Sequence, residues 1–404
     1  MMKPKEQKFS PEFIAQFKSE EDVSAYFGDM YKAVIEQMLE GEMEEHLGYA
    51  PHDRQADKRG NYRNGKKAKQ VRSKLGTLDV SVPQDRQSSF APQVVPKRHS
   101  VMADLEDRVL SFYANGMSTR DIATQMEEIY GVSFSAAQVS RITDRVLDTV
   151  KEWQIRPLDA LYPVLWLDGI RFRVKEGSQY KTKVIYLVIG LNMLGHKEVL
   201  GMWLDLTESA SFWMKVLDDL RQRGVEHVFI GCTDNLAGFS EAIQAVFPDC
   251  LTQLCIVHQI RNSLKHVAWG ERKDFAQDLK KIYTATDKQA GEEALLEVEE
   301  KWGEKYPHVF RSWDTNWERL SVFYEFPAEI RRMIYTTNII ENLNRVIRKY
   351  TKGKTVFPSD DAVQKAVFLA IESISKKWSM PVRHWQKILA QFAILYPDKV
   401  KLEI

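Results

Sequence analysis

Residues 161–174 read LYPVLWLDGIRFRV. From Tyr162 to Leu167 the run is almost continuously apolar, and Phe172–Val174 extends it. A short unbroken apolar run of this kind predicts a strand buried on both faces. Working outward, Lys183–Leu191 (KVIYLVIGL) and Glu198–Leu206 predict two more strands, with 190–197 as a turn. Helix Ser211–Arg223, strand His227–Ile230, helix Phe239–Phe247 and strand Leu251–Leu254 follow. Three successive strands and then alternating helix and strand predict an α/β core built on a mixed sheet.

Beyond the sheet, residues 258–335 carry a helical pattern rich in tryptophan (269, 302, 313 and 317). Helix 338–350 starts after Thr336-Thr337, and 360–395 is again helical in pattern. A sheet interrupted by a helical block and finished by helices predicts an all-α insertion.

Toward the N-terminus, 104–148 predicts three helices. Leu105–Ala114 closes at Asn115-Gly116; Ser118 caps a second helix, with Asp121 three residues on, as far as Tyr130. After Gly131, Ser135 caps a third helix with Gln138 at the reciprocal capping position. This is the outline of a helix-turn-helix, with Gln138, Ser140, Arg141, Asp144 and Arg145 on the polar surface of the last helix. A DNA reader and an ordinary trihelical bundle give the same pattern. Earlier still, 21–48 predicts a helix ended by Gly48. Gln70–Leu75 and Leu78–Val82 suggest a hairpin around Gly76, followed by a linker at Pro83, Pro92 and Pro96.

The chain has 404 residues and a net charge of only +1. That length allows roughly two to four domains. The charge is segregated: residues 51–100 hold 12 Lys/Arg and 4 Asp/Glu, a local +8, which leaves −7 for the rest. Between 54 and 74 lie Arg54, Lys58, Arg59, Arg63, Lys66, Lys67, Lys69, Arg72 and Lys74, with Asp57 the sole acid and Tyr62 interleaved. A basic block of one sign, without apolar anchors, predicts a mobile arm laid along DNA phosphates rather than a solvated face. No apolar run is long enough for a membrane span. The opening MMKPKEQKFSPEF has no apolar stretch behind its lysines, so no secretory signal is expected. Three cysteines are too few for a disulfide framework, which predicts a reducing cytoplasm.

Three carboxylates stand out. Asp168 ends the apolar run Val164–Leu167, a costly place for a charge unless it is compensated. Asp234 lies just past the strand at 228–230, where open α/β sheets carry functional groups. Glu341 shares a face of helix 338–350 with Asn344, Arg345 and Arg348, beside the buried stripe Ile340, Leu343 and Ile347. Singly, each has a bland reading: a strand-end Asp turned to solvent, or a Glu341–Arg345 pair at i,i+4. Together they could converge on Mg²⁺ or Mn²⁺, which favour carboxylate and water oxygens. Two such ions serve phosphoryl transfer. A competing reading takes Cys255-x-x-His258 with Cys232 and Cys250 as a structural zinc site, although buried free cysteine is commoner.

At these residues the sequence resembles the Mutator-type transposases of bacterial insertion sequences, over nearly its whole length. The resemblance rests on Leu167-Asp168-Gly169, on Cys255-Ile-Val-His258-Gln-Ile-Arg261-Asn262, and on Tyr335-Thr-Thr-Asn338-Ile-Ile-Glu341-Asn-Leu-Asn344-Arg-Val-Ile-Arg348-Lys. Pro358 and Trp378, Pro381 and Trp385 also fit. It implies an acidic triad at Asp168, Asp234 and Glu341 on an RNase H-like core, with two Mg²⁺ (or Mn²⁺) ions per active site. It implies that Cys255 and His258 support the site from behind the triad. Asn235 departs from the Gly usual after the second Asp, while Gly238 matches.

The expected organisation is an N-terminal helical segment (1–50), a basic arm with hairpin and linker (51–100) and a helix-turn-helix-like DNA-binding domain (101–155). The catalytic core (156–262 and 336–356), an all-helical insertion (263–335) and C-terminal helices (357–404) complete it. The resemblance implies a transposase acting on double-stranded DNA, at its terminal inverted repeats and its target. A homodimer is expected, because two element ends must be paired, as is a nucleoid-associated location in the cytoplasm. Arg261, Arg345 and Arg348 join the basic arm and third helix as candidate DNA contacts. Two other classes stay open: a metal-dependent nuclease or resolvase that cleaves without joining, and a non-catalytic DNA-binding regulator.

Overall fold

The computed structural model describes residues 9–53, 60–97, 101, 103–206, 210–234, 238–335 and 338–400. The chain divides into two compact units, Met1–Asp144 and Arg145–Ile404.

The first unit contains α1 (Pro11–Ile14), α2 (Glu20–Leu47), the hairpin β1 (Arg63–Ser73) and β2 (Gly76–Asp85), then α3 (Ala103–Ala114) and α4 (Thr119–Tyr130). Helix α5 (Ala136–Ile155) starts here and continues into the second unit. Ser19 and Asp22 form a capping box at the head of α2, and Gly48, at φ 76°, takes the left-handed conformation that ends it. Ile35 and Leu39 of α2 bury against Val71, Leu78, Val80 and Val95. The same cap chemistry sets α4, through Ser118 and Asp121.

Three expectations need correcting. The hairpin is longer than its apolar pattern: β1 begins at Arg63, so Arg63 to Arg72 lie on a paired strand and not on a mobile arm. Pro83, expected in the linker, stands in β2 opposite Lys66. A two-stranded sheet consists of edges, so a residue without an N–H can be accommodated there. The third helix also runs on to Ile155, where Pro157 forbids continuation.

The second unit is mixed α/β. Its strands are β3 (Leu161–Glu176), β4 (Gln179–Leu191), β5 (Lys197–Asp205), β6 (His227–Thr233) and β7 (Leu251–Leu254). They form one mixed sheet in the order β5-β4-β3-β6-β7; the pairs β5-β4 and β4-β3 are antiparallel, and β3-β6 and β6-β7 parallel. Helices α6 (Ala210–Gln222) and α7 (Phe239–Val246) bring Trp213, Leu217, Phe239 and Ile243 onto Leu165 and Leu167 of the sheet. After β7 come α8 (Ile256–Lys265), α9 (Arg272–Thr284), α10 (Lys288–Trp302), α11 (Pro307–Leu320) and α12 (Ala328–Ile334). Helices α13 (Asn338–Thr351), α14 (Asp360–Ser375) and α15 (Trp385–Leu395) follow. The expected helical stretch 360–395 is therefore two helices, parted around Pro381 and His384, whose φ is 61°.

Asp168 does not end its strand. It lies midway along the 16-residue β3, which stays paired to β4 from Val164 to Glu176. What ends near Asp168 is the cover from β6, whose last paired position on β3 is Leu167. Beyond it the burial alternates, with Ile170, Phe172 and Val174 in and Arg171 and Arg173 out. Phe357 closes this outer half: its N–H donates to Arg173 O at 2.8 Å and its O accepts from Lys175 N at 2.9 Å. Among the described residues, no helix is long and apolar enough to cross a membrane.

Candidate active site

The register of the parallel pair builds the site. Leu167 on β3 stands opposite Thr233 on β6, and the next residue on each chain is an aspartate. Because Leu165 and Leu167 face α6 and α7, Trp166 and Asp168 face the other side, where α13 lies. Asp168 is 7% exposed. Its Oδ1 accepts from the Gly169 N–H at 2.7 Å, and its Oδ2 accepts from Asn344 Nδ2 on α13. Burial, and then the neighbouring Asp234 carboxylate, push the Asp168 carboxyl up to about 6. Gly169 is required for packing too: a Cβ there would sit 2.8 Å from Val184 Cγ1 and 3.3 Å from the Tyr186 ring.

Helix α8 supplies two of the cleft's cations. Cys255 caps it, its Sγ accepting from the His258 N–H at 3.3 Å. His258 Nδ1 lies 3.1 Å from Asp234 Oδ1, a charge contact without hydrogen-bond alignment, and Nε2 lies 3.9 Å from Glu341 Oε1. The Asp234 carboxylate, and next the Cys255 sulfur, hold the imidazole up at about 10, against the effect of burial. His258 is thus a cation at neutral pH, seated between two acids. One turn further, Arg261 donates Nη1 to Glu341 Oε1 and Nη2 to Oε2, the latter at 3.2 Å.

On α13, Ile340, Leu343 and Ile347 are buried, which turns Glu341, Asn344, Arg345 and Arg348 toward the site. Arg345 donates to Asn342 Oδ1 at 2.8 Å, so the local Glu341–Arg345 pairing gives way to the long-range Arg261–Glu341 fork. The cleft has a volume of about 750 Å³, and Asp168, Asp234, His258, Arg261, Glu341, Asn344, Arg345 and Arg348 all line it. A larger trough of about 1240 Å³ shares the Asp168, Asp234 and His258 end and continues past Arg171, Arg173, Lys265, Lys349 and Lys352. Sequence reasoning missed those five cations and the Asn344 contact. The alternation of Arg171 and Arg173 with apolar residues was the available signal.

Among the described residues, no group of three or more His, Cys, Asp or Glu is drawn together to hold a metal ion. Cys232, Cys250 and Cys255 are buried free thiols. The donor chemistry nevertheless fits a hard divalent cation at the two aspartates: neighbouring carboxylates, Asp168 buried and Asp234 partly exposed, with the atoms Asp234 Oδ1 and Asn344 Oδ1 buried and lacking hydrogen bonds. Glu341 faces the same cleft but is engaged by Arg261.

In the first unit the candidate DNA contacts divide. Arg54, Lys58 and Arg59 lie outside the described residues, as do Asn235 and Thr336-Thr337. Arg63 and Lys66 pair with Glu40 of α2 at 2.6 and 2.7 Å. Lys69 Nζ donates to Pro96 O at 2.8 Å, and the Arg72 guanidinium lies over Phe134 at 5.3 Å. Lys67 and Lys74 are exposed. Gln138 Oε1 accepts from the Ser135 N–H at 2.9 Å, which commits that oxygen to the helix cap, whereas Arg141, and Arg145 at the start of the second unit, are exposed.

The sequence model of the Mutator family of transposases matches residues 2–381. The chain belongs to that family. A probable transposase for the insertion sequence element ISRM3-like of Sinorhizobium fredii (strain NBRC 101917 / NGR234) is 37% identical over 395 residues, 96% of this chain and 98% of the relative. The transposase for insertion sequence element IS905 of Lactococcus lactis subsp. lactis (strain IL1403) is 31% identical over 374 residues, covering 93% and 95%. Among solved structures, a simian T-cell lymphotropic virus intasome in complex with the PP2A regulatory subunit B56 gamma matches 49% of this chain and 67% of its own. Its 11% identity and TM-score of 0.19 are too low to assign a shared fold. In this Mutator-family transposase the cleft thus brings together Asp168, Asp234 and Glu341 with the cations His258, Arg261, Arg345 and Arg348.

Proposed function

We propose that this Mutator-family transposase binds the terminal inverted repeats of its own insertion sequence, cleaves there, and joins the ends to target DNA. The observation that carries this is that Asp168 and Asp234 each follow the last residues that pair β3 with β6, Leu167 and Thr233, with Glu341 lining the same cleft among the cations His258, Arg261, Arg345 and Arg348. Water attacks the end phosphodiester, the P–O3′ bond breaks, and the element strand leaves with a free 3′-OH. That hydroxyl then attacks a target phosphodiester, forming one P–O bond as another breaks and releasing a target 3′-OH.

Asp168, Asp234 and Glu341, on a core of RNase H-like type, would hold Mg²⁺ or Mn²⁺, two ions per site. When bound, these supply Lewis-acid activation of the attacking oxygen and neutralise charge on the leaving one. Asn344 and the Gly169 N–H orient the Asp168 carboxylate. His258, cationic and held by Asp234, is placed to contact a scissile phosphate. Arg345 and Arg348 take flanking phosphates, while the hairpin and the α3–α5 helices grip the ends. Two copies of the chain would bring two ends together.

Purified protein incubated with labelled element-end duplex and Mg²⁺ tests this. The expected products are a 3′-cleaved end and its covalent joint to a second duplex. Cleaved ends that never join would favour a nuclease or resolvase.

A further inference from the structure

The Arg261–Glu341 fork occupies both oxygens of the one carboxylate that α13 brings to the cleft. A carboxylate held this way has few lone pairs left for a cation beside Asp168 and Asp234, and the guanidinium repels that cation. The third acid is thereby withheld from the other two.

Two observations indicate what releases it. The Arg261 side chain is 53% exposed and that of Glu341 26%, so the guanidinium is the partner more open to the mouth of the cleft. The surroundings are cationic as well: Arg345 and Arg348 line the same cleft, and Lys265 lies one turn beyond Arg261 on α8, in the adjoining trough. A polyanion drawn in by these charges meets Arg261 at the rim. A phosphodiester offers a guanidinium the same two-oxygen fork as a carboxylate, and an ion pair this exposed is easily exchanged.

We infer that Arg261 is a positioning residue that trades Glu341 for a DNA backbone phosphate, so that Glu341 joins Asp168 and Asp234 only when DNA is seated. This rests on the proposed reaction and deepens it by making cation loading depend on DNA.

Mn²⁺ binding to the full-length chain, followed by loss of the free-ion paramagnetic resonance signal, reads the exchange independently of cleavage. The probe is a short blunt duplex of arbitrary sequence, because phosphate contacts are sequence-independent. Mn²⁺ taken up by the duplex is subtracted using the Glu341→Gln protein with the same DNA. Wild type should bind Mn²⁺ weakly alone and at least about tenfold more tightly with duplex, within the ordinary range for coupled sites. Arg261→Gln should bind without DNA about as tightly as wild type does with it, and should gain little from duplex. Should Arg261→Gln not fold, as judged by circular dichroism, Arg261→Lys carries the comparison: one ammonium holds the fork less well, so its DNA-free affinity should exceed that of wild type. Equal DNA-free affinities in the folded variant and wild type, with Mn²⁺ still bound, would overturn the exchange and leave the reaction standing. No protein-bound Mn²⁺ under any condition would overturn the cation reading with it.

Discussion

The side-chain amide of Asn344 on α13 donates to the carboxylate of Asp168 on β3, 176 residues earlier in the chain. The contact favours the ionised carboxylate, opposing the burial and the Asp234 charge that push it up to about 6. Asn344→Ala should therefore raise the Asp168 carboxyl further. The acid limb of the pH–rate profile for end cleavage should move to higher pH, at a stability cost of about 1–2 kcal/mol for a lost buried hydrogen bond. An unmoved acid limb would mean that Asp168 does not govern it.

The raised Asp168 carboxyl also makes a stability prediction. The folded chain holds this proton up to about pH 6, while the unfolded chain releases it near 3.8. The folded state thus binds more protons between those values, and stability from this group falls as pH rises through the window. With cations chelated, Asp168→Asn should be more stable than wild type at pH 7–8, by on the order of 1–3 kcal/mol before the loss of one hydrogen bond is counted. The difference should shrink toward pH 5. Denaturant melts across that range measure it, and Mg²⁺ should then stabilise wild type but not the variant.

Replacing Asp168, Asp234 or Glu341 with Ala should each abolish end cleavage while leaving end binding largely intact, since cation-assisted charge stabilisation amounts to several kcal/mol. Mn²⁺ or Mg²⁺ should support activity and Ca²⁺ should not, because Ca²⁺ prefers looser and higher coordination. Near-wild-type nicking by Glu341→Ala would remove it from the triad.

Gly169 is a packing prediction. The Cβ of Gly169→Ala meets Val184 Cγ1 at 2.8 Å, so the variant should lose about 1–3 kcal/mol of stability to overpacking. Adding Val184→Ala should recover part of that loss in a denaturant melt. No recovery would place the strain at the Tyr186 ring instead.

The hairpin cations should separate by partner. Neutralising exposed Lys67 and Lys74 should flatten the log K versus log salt slope by about 2, equally on end and random duplexes. Arg63→Ala and Lys66→Ala, which break the contacts with Glu40, should register chiefly in the melting of the first unit. Arg141→Ala should cost about 1–3 kcal/mol on the cognate end only, if that side chain reads a base edge.

Local chemistry was legible in the sequence. The Ser118–Asp121 cap and the glycines at 48 and 131 marked helix ends correctly, because capping and left-handed geometry depend on neighbours within a few residues. The apolar runs likewise revealed a mixed sheet. Pairing across the chain was less legible. Apolar continuity stops at Asp168 because β6 stops there, but β4 pairing carries the strand on to Glu176, leaving only the short alternation from Ile170 to Val174 as its trace. The polar first half of β1 was hidden for the same reason. Glu341 suggested Arg345, four residues away, whereas its partner is Arg261, 80 residues earlier, on a helix that only the fold places alongside.

The bridge from Phe357 to the outer half of β3 has a consequence for synthesis. Strands β3 and β4 meet through a tight turn and can pair early, but the backbone bonds to Arg173 and Lys175 await a residue more than 180 positions downstream. Helix α13, which brings Asn344 and Glu341, is equally late. A nascent chain that has emerged only as far as α12 carries both aspartates and the α8 side of the cleft, but neither Glu341 nor Asn344. The α13 side of the cleft exists only once residues 338–351 have been added, so order of synthesis sets the order in which the cleft is assembled.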